Sequence, residues 1–394
     1  MFKVVALILL FVLLFQDALF GQLNNDFAYY DDLTYELYEK QQWAQLIETG
    51  KEAKQSGFDY YYLNMRMGIA YFERKQYFKA IYCFQKAIDY NKNDLIAPEY
   101  LYLSYQLTNQ ELPAARVLKE YPVVQESVHE KPAKFFSGLF LEGTYKFHDL
   151  AYVSNLGLFN LGLRHRPFSW LSITHSYNRM SFDQIAFMPS QGGRVQEKRN
   201  LVIQKGYYAK ADLNLAGFIF SPAINLQQVQ TTTTSYPEKV FYLGISRQIN
   251  NFYAVLDYSQ SEINLFRQKQ WAISLTWYPL YNLNLYLKNQ VVKHQQQDYT
   301  NTIAFHTLGL RLTRNIWLEV FHQYGNIYNF NSHQAYLLFN GWDNINQRSG
   351  ASVTAILSTN VDIDFSFLME KHNEFNSDSN YNFSVINSSF NFKF

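Results

Sequence analysis

Apolar positions follow two different periods along this chain. Across residues 59–92, "DYYYLNMRMGIAYFERKQYFKAIYCFQKAIDYNK", they recur at helical spacing, which predicts two antiparallel helices joined at Glu73-Arg74-Lys75-Gln76. Gly68 and Ala80 are small enough to let the two helices approach, and Tyr71 and Phe84 fill the space between their turns. From residue 135 onward the period is two. Leu139, Leu141, Tyr145 and Phe147 alternate with Gly138, Phe140, Glu142, Thr144 and Lys146, giving a strand one apolar and one polar face.

Three later stretches share one layout: "LGLRHRPFSWLSI" (161–173), "ISLTWYPLYNLNL" (273–285) and "LGLRLTRNIWLEV" (308–320). Each predicts a tight hairpin. Leu161/Leu163 are set against Leu171/Ile173, Ile273/Leu275 against Leu283/Leu285, and Leu308/Leu310 against Leu318/Val320. Pro167 and Pro279 occupy equivalent turn positions, and further short turns are expected at Ser221-Pro222, Gln248–Asn251 and Ser358–Asn360. Longer polar segments alternate with them: Asp183–Lys198, Thr231–Glu238, His294–Asn301, Asn329–Gln347 and Asn373–Asn380. Short turns at one end and long loops at the other are the mark of an antiparallel transmembrane β-barrel. The markers give about fourteen strands, bracketed by twelve and sixteen. Strands in lipid must close on themselves, so the last strand is expected to pair with the first, about Phe135–Phe147. A soluble sandwich or an eight-stranded lipocalin-like barrel shares the alternation. Neither accounts for the Trp and Tyr near turns (Trp170, Trp277, Tyr278, Trp317) together with a chain that ends on Phe.

Gly68, Tyr71, Tyr77, Ala80, Phe84 and Ala87 have the spacing of the tetratricopeptide repeat, and the helical segment resembles that family. A shift of about 34 residues forward from Tyr71, Ala80 and Phe84 lands on Tyr105, Ala114 and Leu118. The same shift backward from Tyr71, Tyr77 and Ala87 lands on Leu37, Trp43 and Ala53, while Thr34 and Tyr102 stand where the glycine would be. Degenerate outer copies suit the ends of a stack. Three helix pairs over about 27–122 are expected. The resemblance implies a concave groove of Tyr62, Met65, Ile69 and Phe72 with Glu99, Leu103 and Gln106. Such a groove receives a partner segment or rests on the neighbouring domain, and the sequence leaves the two open.

Composition sharpens this picture. Aromatics reach 18% and charged residues only 17%, and the net charge of +1 gives no reason to expect nucleic acid. The one long apolar run, Val4–Phe15 after Lys3, is short for a spanning helix and suits an export signal, with cleavage near Gly21/Gln22. A single cysteine, Cys83, excludes an intramolecular disulfide and a multi-cysteine metal site. The expected organisation is therefore multidomain, α plus β: 1–22 signal peptide, 23–126 tetratricopeptide-repeat helical domain, 127–134 linker and 135–394 outer-membrane β-barrel.

If the Leu, Ile, Val and Phe positions face lipid, the alternate set faces the lumen. That set includes Glu142, Lys146, Arg164, Lys210, Asp212, Arg311, Glu319, Asp362, Asp364 and Lys393. Its mixed signs predict interior ion pairs, with Arg311 and Glu319 close across one turn. Histidines are scattered, His175 and Ser176 fall on opposite strand faces, and no H-E-x-x-H, G-x-S-x-G or phosphate loop is present. No catalytic set, metal site or cofactor is expected.

The final "SSFNFKF" places Phe390, Phe392 and Phe394 on one face, and it resembles the terminal strand read by the outer-membrane assembly machinery. The whole chain resembles outer-membrane proteins that join periplasmic tetratricopeptide repeats to a barrel, with exopolysaccharide-export porins a more distant relation. The expected role is a non-enzymatic outer-membrane barrel whose repeats dock a periplasmic protein as anchor or assembly factor. The alternative is a channel passing a polysaccharide or other polar solute. In either role its surroundings are outer-membrane lipid, the assembly machinery during biogenesis, and a periplasmic protein or glycan.

Overall fold

The computed structural model describes residues 26–148, 150, 152–189, 195–297, 299–341, 343–373 and 380–394. The expected export segment, 1–22, lies outside them. The chain divides after Glu130 into a helical unit and a β unit.

In the helical unit, α1 covers residues 26–39. It is followed by α2 (Trp43–Gln55), α3 (Tyr61–Glu73), α4 (Tyr77–Tyr90), α5 (Ile96–Leu107), α6 (Glu111–Glu120) and α7 (Pro122–Val128). Three inter-helix turns are copies of one another. Gln41, Lys75 and Asn109 recur at a spacing of 34 and hold φ of 54°, 58° and 57°. After each comes a glutamine, Gln42, Gln76 and Gln110, whose backbone N–H bonds the carbonyl of Leu37, Tyr71 and Tyr105 respectively. The same local chemistry three times over makes this a repeat of helical hairpins. Phe84 packs on Gly68 so closely that a Cβ there would sit 2.6 Å from the ring, which is why this position is glycine. The outer copies compensate differently. Thr34 is buried, donates to the Tyr30 carbonyl at 2.8 Å and accepts from Arg66, which also pairs with Asp31 at 2.7 Å. Cys83 is buried in α4, and burial pushes its thiol up to about 12.

In the β unit, fourteen antiparallel strands close into a barrel. They are β1 (Lys134–Phe147), β2 (Leu156–Phe168), β3 (Leu171–Pro189), β4 (Val195–Leu215), β5 (Phe218–Gln230), β6 (Ser235–Ile249) and β7 (Phe252–Ile263), then β8 (Phe266–Trp277), β9 (Leu285–Gln296), β10 (Tyr299–Arg311), β11 (Ile316–Ile327), β14 (Asn344–Ile356), β15 (Val361–Asn373) and β16 (Asn380–Lys393). Between β11 and β14 lies a separate two-stranded hairpin, β12 (Phe330–Ser332) with β13 (Leu337–Phe339). Closure runs through β1 and β16, from Gly138 opposite Lys393 to Phe147 opposite Ser384. Alternation then fixes the faces. Leu139, Leu141, Phe390 and Phe392 point outward, while Phe140, Glu142, Asn387 and Asn391 point inward.

Several local expectations change. Leu308 and Leu310 pair with Val320 and Leu318 as the pattern predicts. The other two hairpins are shifted. Leu163 faces His175 because β2 bulges between His165 and Phe168, and Trp277 faces Leu287 because the connection covers residues 278–284. Ser221-Pro222 is not a turn but lies within β5; the turn is at Ala216-Gly217, with φ of 50° and 78°. Proline is tolerated there because the β4–β5 ladder is interrupted, passing from Lys210↔Ala223 to Leu213↔Phe220. Trp317 is not on the outward girdle. It shares a face with Glu319 and lies under the Arg311 guanidinium at 4.5 Å. His294 and Asn301 belong to strands rather than to a loop. The stretch Asn329–Gln347 is not an outer loop either, and its course defines the site.

Candidate functional site: a barrel lumen closed by its own hairpin

Gly325 begins the departure. Its φ is +126°, and a Cβ would sit 2.7 Å from the Thr302 carbonyl oxygen, so only glycine lets β11 bend there. The ladder between β11 and β14 breaks at this point, from Tyr324 to Ile327. The chain then carries the β12–β13 hairpin into the barrel. Phe330 is 1% exposed and packs with Phe339, Val292, Ile303, Ile327 and Ile345. Ala335, Tyr336 and Leu338 form a second cluster with Tyr208, Val240, Tyr242 and Ile263. Apolar burial on this scale is the main attraction holding the hairpin.

Polar contacts set its orientation. Asn331 exchanges hydrogen bonds with Gln270 and donates to Ser259 at 3.1 Å. Asn225 donates to the carbonyls of Ala335 (2.8 Å) and Tyr336 (3.1 Å), and Lys210 donates to Gln334 at 2.8 Å. The Tyr336 hydroxyl reaches across to Glu142 and Asn160. At the stem, buried Glu238 accepts from the Asn264 backbone (3.1 Å) and from Asn340 (2.7 Å). Asn264 in turn donates to Asn329 (2.8 Å) and to the Asn340 carbonyl (2.9 Å). Both ends of the hairpin are thus latched to the β7–β8 turn. The tip is strained: His333, Gln334 and Ala335 all hold positive φ, 53°, 60° and 67°.

The sequence-derived lumen residues fall on the inward face, but not as one cluster. Glu142 meets the hairpin through Tyr336. Lys146 pairs with buried Glu370 at 3.0 Å, and Arg348 pairs with the same carboxylate at 2.9 Å while its guanidinium lies over the Phe339 ring at 4.6 Å. Arg164 donates to Asn391 at 3.2 Å. Asp364 accepts from Thr354 at 2.7 Å, and Asp362 pairs with Lys393 at 3.2 Å. Lys210 and Asp212 pair at 2.9 Å. Arg311 and Glu319 do not pair, being offset by one inward position. Arg311 donates to Asn284 and to the Thr313 carbonyl, and Glu319 accepts from Tyr286. Glu370, Arg348, Glu238 and the hairpin itself are the parts that sequence reading missed. Phe330, Leu337 and Phe339 inside a supposedly polar loop were the available signal.

Filling is uneven around the wall. Ser246, Ser259, Gln270 and Ser274 on β6–β8 are buried, whereas Glu142, Arg164, Thr354, Asp364, Asn387 and Asn391 on the β14–β2 side stay half-buried. Thr354, Asp364, Ser389 and Glu142 stand in one cross-strand row, so a strip of half-buried polar side chains crosses this wall, flanked by the buried Ser352, Ser366 and Asn160.

On the outward face, His165 and His175 meet end-on, Nε2 to Nε2 at 2.9 Å. His165 Nδ1 lies 2.5 Å from the Phe135 carbonyl, which fixes it as the protonated nitrogen, so His175 donates to His165. Phe390 and Phe392 lie on the same outward face, and Phe394 donates its N–H to the Ser137 carbonyl at 3.3 Å.

In the helical unit, the residues mapped to a groove differ in access. Tyr62 is 60% exposed, Glu99 and Gln106 are exposed, Ile69, Phe72 and Leu103 are half-buried, and Met65 is buried. Phe72 is committed to ring contacts with Tyr77 and Tyr100, at 5.4 and 5.1 Å.

No family model matches the chain, and no curated protein matches it. Among solved structures it is similar to outer-membrane β-barrels. The toluene transporter TodX of Pseudomonas putida is 8% identical, with a TM-score of 0.46, covering 66% of this chain and 89% of that one. The monoaromatic hydrocarbon channel CymD is 8% identical, with a TM-score of 0.46, covering 73% and 97%. Omp33 of Acinetobacter baumannii is 10% identical, with a TM-score of 0.38, covering 66% and 99%. Likeness at this level says nothing about solute or site.

Proposed function

We propose that this chain is an outer-membrane protein without enzymatic activity, whose barrel is a hairpin-gated channel for a neutral, hydroxyl-rich solute. Outward side chains support the membrane setting. Ile245, Leu256 and Ile273 stand opposite one another on neighbouring strands and are 37%, 57% and 62% exposed, a contiguous apolar surface that water would not tolerate. The observation that carries the channel reading is the half-accessible polar strip on the β14–β2 wall, blocked at the level of Glu142 by a hairpin rather than by the wall itself. A fourteen-stranded barrel is wider than the eight-stranded ones that side chains fill unaided. A barrel serving only as an anchor has no need of an accessible polar wall. The strip and the half-buried side chains beside it carry both donors and acceptors (Asn387, Asn391, Thr354, Arg164), suiting sugar hydroxyls better than a hydrocarbon.

The helical hairpins read as tetratricopeptide repeats in the periplasm, since the chain enters β1 at the short-turn end of the barrel. Exposed Tyr62 and half-buried Ile69, two turns apart on one face of α3, favour a second role there, docking a periplasmic protein or guiding a glycan.

The test is single-channel recording on the wild type and on a variant whose residues 329–340 are replaced by a short Gly-Ser link. The wild type is expected to be closed most of the time and the variant to conduct and to be blocked by maltodextrin. A variant as closed as the wild type, in a barrel that still shows heat-modifiable mobility, would defeat the channel reading and leave the anchor.

A further inference from the structure

His294, on the inward face of β9, is buried under the hairpin with both ring nitrogens unpartnered. It is 2% exposed, and among the described residues neither Nδ1 nor Nε2 meets a donor or an acceptor. Its inward neighbours are engaged elsewhere or apolar. Opposite it, Gln270 on β8 exchanges hydrogen bonds with Asn331 of the hairpin, and Asn301 on β10 donates to the Asn326 carbonyl. On its own strand, Val292 belongs to the apolar cluster and Gln296 accepts from Asn329 at 3.4 Å. Over it lies Phe330, with ring centroids 5.8 Å apart and planes at 81°. The unpartnered imidazole therefore touches the side chain whose burial holds the hairpin.

A buried polar ring without partners costs free energy, and a leucine here would extend the cluster of Val292, Ile303 and Phe330 without that cost. The charged ring fares worse. It would carry two N–H donors with no acceptor and no carboxylate beside it. The side chains presented to it by β8, β9, β10 and the hairpin are Gln270, Val292, Gln296, Asn301 and Phe330, none of which is charged. An unpaired charge is tolerated only with water, and water reaches this lumen-facing ring when the hairpin leaves. Other titratable groups at the hairpin differ. Glu142 and Glu238 accept from Tyr336 and Asn340, and protonating them removes a buried charge rather than creating one. Glu370 has Lys146, Arg348 and His372 around it, so a proton on His372 meets a counter-charge at 3.2 Å. His333 at the tip is exposed.

We propose that His294 is an acid-sensing latch: proton uptake on its ring releases Phe330 from the wall, and the hairpin opens the barrel. The proposal rests on the hairpin-gated channel reading given above. Its sign follows from linkage. With the hairpin undocked the ring stands in water and takes up a proton near the ordinary histidine value, about 6.5. With the hairpin docked there is no water and no acceptor to receive the charge. The docked fraction therefore falls as pH drops below that value, by up to roughly a decade per pH unit for one such group. At neutral pH the ring is uncharged and Phe330 stays over it.

The test is single-channel recording of the full chain in planar bilayers at pH 7.5 and at pH 5. The wild type is expected to gain at least ten-fold in open probability at pH 5 and to lose it on return to pH 7.5. His294→Leu and His294→Gln, neither of which titrates, are expected to stay closed at both values. Two variants are used so that one inserted, heat-modifiable protein is enough for the comparison. The variant with residues 329–340 replaced by a Gly-Ser link is expected to conduct at both values, with no acid step. A wild type that does not open further at pH 5, while the link variant conducts, overturns the proposal and leaves the gate. Acid opening of undiminished size in an inserted His294 variant overturns it as well, because the sensor then lies elsewhere. A link variant as closed as the wild type would instead overturn the reading on which it rests.

Discussion

Truncating Phe330 to alanine removes the side chain that contributes most to hairpin docking. It is 1% exposed, and its ring meets those of His294, Phe305 and Phe339 at 5.8, 6.0 and 6.1 Å. A buried Phe→Ala change costs about 3–5 kcal/mol. The loss falls on the docked state alone, because an undocked hairpin exposes Phe330 to water anyway. At about 1.4 kcal/mol per decade, the docked-to-undocked ratio falls by roughly two to three and a half orders of magnitude. Open probability in planar bilayers reads this ratio directly, and liposome swelling in a sugar solution confirms it in bulk. Phe241→Ala removes the same side chain from the outward face and is expected to leave open probability unchanged. The reasoning is refuted if Phe330→Ala is folded, heat-modifiable and as closed as the wild type.

Other outcomes follow from the same structure. Glu370→Leu leaves Lys146 and Arg348 beside the hairpin without their shared carboxylate. Breaking a buried pair this way costs about 3–5 kcal/mol, the lower figure applying because the Lys146 side chain is 25% exposed. The barrel should lose heat-modifiable mobility at a lower temperature, and adding Arg348→Met should restore most of the difference. In the helical unit, burial raises the Cys83 thiol to about 12, so at pH 8 it should not react with a chromogenic disulfide until denaturant unfolds the helices. The sign of the linkage follows. Above its unfolded value the thiol is ionised only in the unfolded chain, so the stability of the helical unit falls as pH rises from about 9 towards 12. Rapid labelling of the folded protein at pH 8 would contradict the burial. Deleting Phe394 removes an N–H bond to Ser137 and ring contacts with Phe136 and Phe392. Assembled barrel in the membrane is expected to drop while the helices stay folded, and an unchanged heat-modifiable fraction would count against the terminal strand as an assembly signal.

Alternation made most of the barrel wall legible in the sequence, because a period of two assigns a face to every residue once a strand is placed. Leu308 and Leu310 against Val320 and Leu318 show this working. Where it failed, the cause was backbone geometry without a side-chain pattern. The bulge between His165 and Phe168 shifts one hairpin. At Ser221-Pro222 a proline within a strand imitates a turn, while the real one at Ala216-Gly217 passed unnoticed. The helical period was legible from aromatics, yet its most regular mark is Gln42, Gln76 and Gln110 after the three left-handed turn residues. The hairpin was hidden for a different reason. Asn329, Asn331, Ser332, His333, Gln334 and Asn340 read as solvent-facing, but in a polar lumen the wall itself supplies their partners, Ser259, Gln270 and Glu238 among them. Polarity alone does not tell the inside of a barrel from the water beyond it.

The central claim is that one hairpin, held against the lumen wall, opens and closes this barrel. A reversible tether tests it most directly. Ser259 and Asn331 lie 3.1 Å apart through their side chains, so Ser259→Cys/Asn331→Cys can be joined, in a Phe330→Ala background, by oxidation or a short thiol crosslinker. The native Cys83 is buried and does not compete. The account predicts conduction in the reduced protein, silence once the tether forms, and conduction again when the bond is cleaved. Equal conductance of the tethered and reduced forms would contradict it.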